Sequence, residues 1–119
     1  MSKKILVADD QRELVEAMVA RFENAGYEVV AAYDGEECLE KIKIQCPDLI
    51  VLDVTMPKMD GFSVVRAVKE DERVKNTPII MVTGKDQMED IFRMEGVREY
   101  VVKPFEYKDL LAMVVRLIG

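Results

Sequence analysis

The chain reads as an α/β protein, with five parallel strands in one doubly wound sheet of order 2-1-3-4-5 and helices on both faces. Three observations predict it. Strand-like and helix-like segments alternate five times along the 119 residues. The strand-like segments are short, continuous apolar runs, as strands buried on both faces require. The segments between them repeat apolar residues at helical spacing, and such alternation implies parallel pairing through right-handed crossovers.

Ile5-Leu6-Val7-Ala8 is the first run, and it ends in Asp9-Asp10. Leu14, Met18, Phe22 and Ala25 then recur at helical spacing, and Gly26 supplies the stop. Tyr27 to Ala32 is the second strand. Asp34 followed by Glu37 resembles a capping box, opening a helix whose apolar face is Cys38, Leu39 and Ile42 and whose end is marked by Pro47. Leu49-Ile50-Val51-Leu52 is the third strand and ends at Asp53. Gly61 leads into a helix carrying Phe62, Val65 and Val68. Ile79-Ile80-Met81-Val82 is the fourth strand, ending at Thr83-Gly84, and a short helix is expected around Asp86 to Glu95. Tyr100-Val101-Val102 is the fifth strand. A last helix from about Glu106 buries Leu110, Leu111, Val114 and Ile118. No repeat, linker or low-complexity segment interrupts this order. The expected architecture is flavodoxin-like, a fold whose function sits at the carboxyl ends of the strands, near the switch point between the first and third.

Composition narrows the function. Half of the residues are hydrophobic and 34% are charged, which suits a soluble globular protein. No apolar run approaches the roughly 20 residues of a membrane span. The N-terminus has only a short apolar stretch before Asp9-Asp10 and is no signal peptide, so a cytoplasmic location and no membrane association are expected. A net charge of −6 repels nucleic-acid phosphates and argues against direct binding by this chain. Cys38 and Cys46 fall eight apart in one helical region, about 12 Å along a helix and too far for a disulfide. Two buried thiols in a reducing compartment are expected. The absence of histidine excludes His-based metal sites and Ser-His catalysis. The eight methionines, dispersed among apolar positions, read as core filler.

Three acids lie where the fold concentrates function. Asp9 and Asp10 follow the first strand and Asp53 ends the third, so the predicted strand order brings three carboxylates into one shallow cleft. At about 5 Å and an effective dielectric near 20, each pair repels by roughly 3 kcal/mol. A cation is needed, and all-oxygen ligands with open positions suit Mg²⁺. Thr83 after the fourth strand adds a hydroxyl, and Lys103 after the fifth adds an ammonium. Taken singly these features are ordinary turn chemistry. Together, a carboxylate nucleophile, a divalent metal, a lysine and a hydroxyl make a phosphoryl-transfer site.

Five stretches carry a closer likeness: Ile5-Leu6-Val7-Ala8-Asp9-Asp10, Pro47-Asp48-Leu49-Ile50-Val51-Leu52-Asp53, Met56-Pro57-Lys58-Met59-Asp60-Gly61, Pro78-Ile79-Ile80-Met81-Val82-Thr83-Gly84 and Tyr100-Val101-Val102-Lys103-Pro104-Phe105. In order and spacing the chain resembles the response-regulator receiver family over residues 1–119, as one domain. The resemblance implies that Asp53 is the phosphoacceptor. It implies that Asp10 ligates Mg²⁺ directly and Asp9 more through water, with the backbone carbonyl of Thr55 as a further ligand. It makes Thr83 the switch hydroxyl, Tyr100 the switch aromatic and Lys103 the lysine that pairs with the phosphoryl group, and it implies a cis Lys103-Pro104 peptide. Thr55 and Lys85 fall where the family tunes hydrolysis. A sensor histidine kinase or phosphotransfer protein would supply the phosphoryl group, and an output protein or effector domain would read the state. Such a domain is not an enzyme in the usual sense, because it catalyses only its own phosphorylation and a slow autodephosphorylation.

Two features depart from the family pattern. The segment from Thr83 to Lys103 is about two residues shorter than usual, roughly half a helical turn. Arg98-Glu99 stands just before Tyr100, where many members that dimerise through this face carry paired acids. Both fall on the usual output face, so a monomer in both states is expected. Three other readings fit less well. A phosphorylation-independent pseudo-receiver would have lost site residues. A haloacid-dehalogenase-type hydrolase needs a second Asp two residues after the first, where this chain has Thr55. A flavodoxin-like cofactor module needs a phosphate-cradling loop after the first strand, and Asp9-Asp10-Gln11-Arg12-Glu13 is the wrong charge for one.

Overall fold

In the computed structural model, which describes residues 2–119, the strands are β1 (Lys4–Ala8), β2 (Glu28–Ala32), β3 (Leu49–Asp53), β4 (Ile79–Thr83) and β5 (Glu99–Val102). They form one all-parallel sheet in the order β2-β1-β3-β4-β5, as the alternating pattern predicts. Between and after them lie α1 (Arg12–Asn24), α2 (Gly35–Gln45), α3 (Gly61–Glu70), α4 (Glu89–Met94) and α5 (Tyr107–Ile118). Among the described residues no helix is long and apolar enough to cross a membrane.

The sheet divides the core in two. Alternate side chains of a strand point to opposite faces. Leu6, Ile50, Leu52, Ile79 and Met81 therefore pack with α2, α3 and α4, through Cys38, Ile42, Val64, Val68 and Phe92. Ile5, Val7, Val51, Ile80 and Val82 pack with α1 and α5, through Val15, Met18, Phe22, Leu110 and Val114. β3 and β4 are buried along their whole length, and for that reason they read as unbroken apolar runs.

Helix boundaries follow local chemistry. Asp34 caps α2 by accepting from the Glu37 N–H at 2.8 Å, while the Glu37 carboxylate accepts from the Tyr33 N–H at 2.6 Å, so the capping pair reaches one residue further back than the standard box. Asp60 caps α3 by accepting from the Ser63 N–H at 2.9 Å.

Several expectations need correction. In α1 the core position is Val15 rather than Leu14, and Ala25 is an exposed C-cap. Leu39, Phe62, Leu111 and Ile118 flank the buried stripes of their helices and remain half-buried. α4 is only six residues long, because Gln87 adopts φ 62° before it and Gly96 adopts φ 80° after it. The cysteines are both free, but only Cys38 is buried; Cys46 is the left-handed C-cap of α2, which turns the chain out of the helix and exposes it. Burial pushes the Cys38 thiol up to about 12, with help from Asp34 and Glu37, so it is an inert core group.

Candidate functional site

Strand register brings the site residues together. Ala8 is paired with Leu52, Asp53 with Val82, and Thr83 with Val102, so the residues at and just after these positions meet at one end of the sheet. Backbone hydrogen bonds extend the alignment past the strand ends: the Asp9 N–H donates to the Ala32 carbonyl at 3.2 Å, and the Lys103 N–H donates to the Thr83 carbonyl at 2.7 Å.

One oxygen from each of Asp9, Asp10 and Asp53 lies within 4.8 Å of the others. Asp9 and Asp53 are 1% and 5% exposed, whereas Asp10 faces solvent. The Lys103 ammonium lies 2.8 Å from Asp9 Oδ2 and 3.5 Å from Asp53 Oδ1, and it donates to Gln11 Oε1 at 2.8 Å. Asp9 Oδ1 accepts from the Gln11 N–H at 2.9 Å. Asp9 Oδ2 is buried, and the Lys103 ammonium is its one cationic neighbour among the described residues.

The charges do not balance. Three carboxylates face one ammonium, two of them in a poorly solvated place. Burial pushes the Asp53 carboxyl up to about 6, the Asp9 charge adds to this, Lys103 opposes it and Asp10 adds a little more. Burial acts to lower the Lys103 ammonium, but Asp9 and Asp53 outweigh it and hold it above its ordinary value. The donor set is all oxygen and anionic, and its three carboxylates share a single ammonium. These features fit a small hard divalent cation such as Mg²⁺.

Two glycines set the backbone around Asp53. A Cβ on Gly61 would collide with the Asp53 carbonyl oxygen and come within 2.9 Å of Val54 Cα. The Gly61 N–H also donates to the Val54 carbonyl at 2.8 Å, so the start of α3 is sewn to the end of β3. A Cβ on Gly35 would collide with the Met59 carbonyl oxygen, so the β3–α3 loop can lie directly on the start of α2. The Lys58–Asp34 ion pair at 3.7 Å holds the same junction.

Thr83 is buried, and its hydroxyl is occupied within the next turn, accepting from the Lys85 N–H at 3.0 Å and donating to the Lys85 carbonyl at 3.3 Å. Thr55 and Lys85 are exposed. Tyr100 is half-buried against Phe92, ring centres 5.2 Å apart, and Phe92 in turn meets Phe62 at 5.7 Å. The Lys103-Pro104 peptide is cis. Sequence reasoning missed Gln11, Gly35 and Gly61. The signal for Gln11 was its place beside the acid pair. Nothing in one sequence marks the close approaches at the two glycines.

The model of a family described as "Response regulator receiver domain" matches residues 5–115. The alkaline phosphatase synthesis transcriptional regulatory protein PhoP of Bacillus subtilis (strain 168) is 40% identical over 120 residues, covering 99% of this chain and 49% of that protein. The probable transcriptional regulator ycf27 of Cyanophora paradoxa is 42% identical over 118 residues, covering 98% and 48%. The chain thus spans about half the length of these curated relatives. Among solved structures, chemotaxis response regulator CheY4 of Vibrio cholerae superposes with TM-score 0.93 at 35% identity, over 99% of this chain and 100% of that one. The CheX-CheY-BeF₃-Mg²⁺ complex from Borrelia burgdorferi gives a TM-score of 0.87 at 30% identity, over 98% and 90%.

Proposed function

We propose, from the premise that the chain belongs to the response regulator receiver family, that Asp53 is the phosphoacceptor of a two-component signalling switch. The observation that carries the proposal is the convergence at one strand end of Asp53, two further carboxylates within 4.8 Å and the Lys103 ammonium at 3.5 Å. On this reading residues 1–119 make up one receiver domain.

Asp9, Asp10, Asp53 and the Thr55 backbone carbonyl would hold Mg²⁺. Bound there, the ion would neutralise charge on the phosphoryl oxygens. An Asp53 carboxylate oxygen attacks phosphorus in line as the phosphorus–nitrogen bond of a phosphohistidine breaks, and the departing imidazole takes up a proton. Lys103, already beside Asp53, pairs with an oxygen of the transferred group. The Thr83 hydroxyl exchanges its bonds to Lys85 for one to the phosphoryl group, and Tyr100 moves into the space that Thr83 leaves. The structure of a related CheY with BeF₃ and Mg²⁺ supports the choice of ion.

The donor is a sensor histidine kinase or phosphotransfer protein, and the reader is an output protein or effector domain. The relatives' names speak of transcription, but the −6 charge of this chain disfavours nucleic-acid contact by it, and any such contact would have to come from another domain or a partner. The domain works in the cytoplasm and acts on no substrate beyond its own phosphoryl group. Intact-mass measurement after acetyl phosphate and Mg²⁺ tests the assignment. Wild type should gain one phosphoryl mass that is labile to base, and Asp53→Ala should not. Retention of the gain at the wild-type rate in Asp53→Ala would refute it.

A further inference from the structure

At the end of the sheet opposite Asp53, a groove of about 620 Å³ lies beneath the first residues of β4 and β5. Its charge is contrary to that of the chain. Lys69, Lys75, Arg98 and Arg116 line it with one carboxylate, Glu99, in a protein whose net charge is −6. Glu99 is already engaged: Arg116 donates to both of its oxygens, each at 2.9 Å, and holds its carboxyl below the usual range. Lys75 pairs at 2.8 Å with Glu72, whose side chain is 84% exposed. Among the described residues Lys69 and Arg98 make no ion pair. Lys69 is held over the positive-φ turn at Gly96, its Nζ 4.0 Å from where a Cβ would stand. Asn76 and Thr77 add neutral side chains on the same wall.

We propose that this groove binds a small multivalent anion of the phosphate class. Lys69 and Arg98 are the unpaired cations lining this one groove, and a bound anion would offset their mutual repulsion while taking charge-assisted hydrogen bonds. The volume lies within the range of small-molecule sites. A small anion suits the groove better than an acidic protein segment. The cations are gathered in one concavity, whereas the surrounding net charge would repel an extended acidic chain. None of these residues belongs to the carboxylate cluster, so the site stands or falls separately from the role of Asp53.

The test is a ¹⁵N–¹H titration with inorganic pyrophosphate, in chelator-treated buffer at constant ionic strength. Saturable shifts are expected at Asn76, Thr77, Gly96 and Val97, with a millimolar dissociation constant. Lys69→Gln/Arg98→Gln changes two exposed side chains, and it should weaken binding by about tenfold or more while leaving Mg²⁺ shifts at Asp53 intact. Shifts that do not saturate, that are equalled by sulfate, or that survive the double substitution would overturn the proposal. So would an acidic peptide that occupies the groove where pyrophosphate does not.

Discussion

The Lys103 ammonium lies closer to Asp9 than to the proposed phosphoacceptor, 2.8 Å against 3.5 Å. In the resting protein this lysine therefore works first as a counter-ion to a buried acid. Lys103→Gln should lower the stability of the metal-free protein by about 1–3 kcal/mol, because buried carboxylates lose their cation and only protonation of Asp53 limits the cost. Mg²⁺ should recover more stability in the variant than in wild type. Urea unfolding with chelator and with Mg²⁺ measures both, and an unchanged midpoint in chelator would contradict this view of Lys103.

Stability should depend on pH in a definite direction. Asp53 is pushed up to about 6 in the folded protein from an ordinary 3.8, so the folded state holds this proton more tightly than the unfolded chain. Stability from this group is present below pH 3.8 and is lost as pH rises through about 6, by on the order of 3 kcal/mol. Metal-free wild type should therefore weaken as pH rises from 3.8 to about 6. Asp53→Asn should lack that slope. A wild-type midpoint that rises across the range would show that another group dominates.

The state of Thr83 should control that of Tyr100. The Thr83 hydroxyl is bonded to Lys85, so moving it exchanges one hydrogen-bond set for another. A net difference of about 1 kcal/mol corresponds to a roughly fivefold population shift. Beryllofluoride with Mg²⁺ should move the ring signals of Tyr100 and Phe92 in wild type and much less in Thr83→Ala. Equal ring shifts in the two proteins would break the proposed link.

The phosphoryl group should be long-lived. Hydrolysis needs a water held in line with the acyl phosphate, and the exposed Thr55 and Lys85 offer neither carboxylate nor carboxamide for it. Thr55→Asn should speed dephosphorylation by about tenfold through better placement of water. Decay of the phosphorylated wild type within seconds would disprove this.

Activation should leave the domain a monomer. Glu99 is clasped by Arg116 of its own chain, α4 is six residues long, and Arg98 is exposed beside them. A symmetric contact uses the same patch on both copies, so Arg98 in place of an acid alters the contact twice over. Light scattering of the beryllofluoride form at tens of micromolar would expose a dimer if these residues permit one.

The strands were legible because burial on both faces leaves an unbroken apolar run, and Asp9, Asp53, Thr83 and Lys103 were legible because they interrupt such runs at their carboxyl ends. Helix faces were less so. Val15 and Leu14 are adjacent and both apolar, and either continues the spacing of Met18 and Phe22, so the sequence does not tell which one faces the sheet. The exposure of Cys46 depends on a left-handed backbone that nothing in its side chain demands. The roles of Gly35 and Gly61 come from backbones far apart in sequence, and the Gln11–Lys103 bond spans 92 positions.

The division of the core by the sheet makes the domain directional. Tyr100 and Val101 are neighbours in β5, yet the first packs with the α3 and α4 layer and the second with α1 and α5. A ring that turns at position 100 has no atoms on the far side of the sheet with which to push. The sheet thus stands as a bulkhead between the two layers, and a ring that turned at position 100 would meet the α3 and α4 layer first.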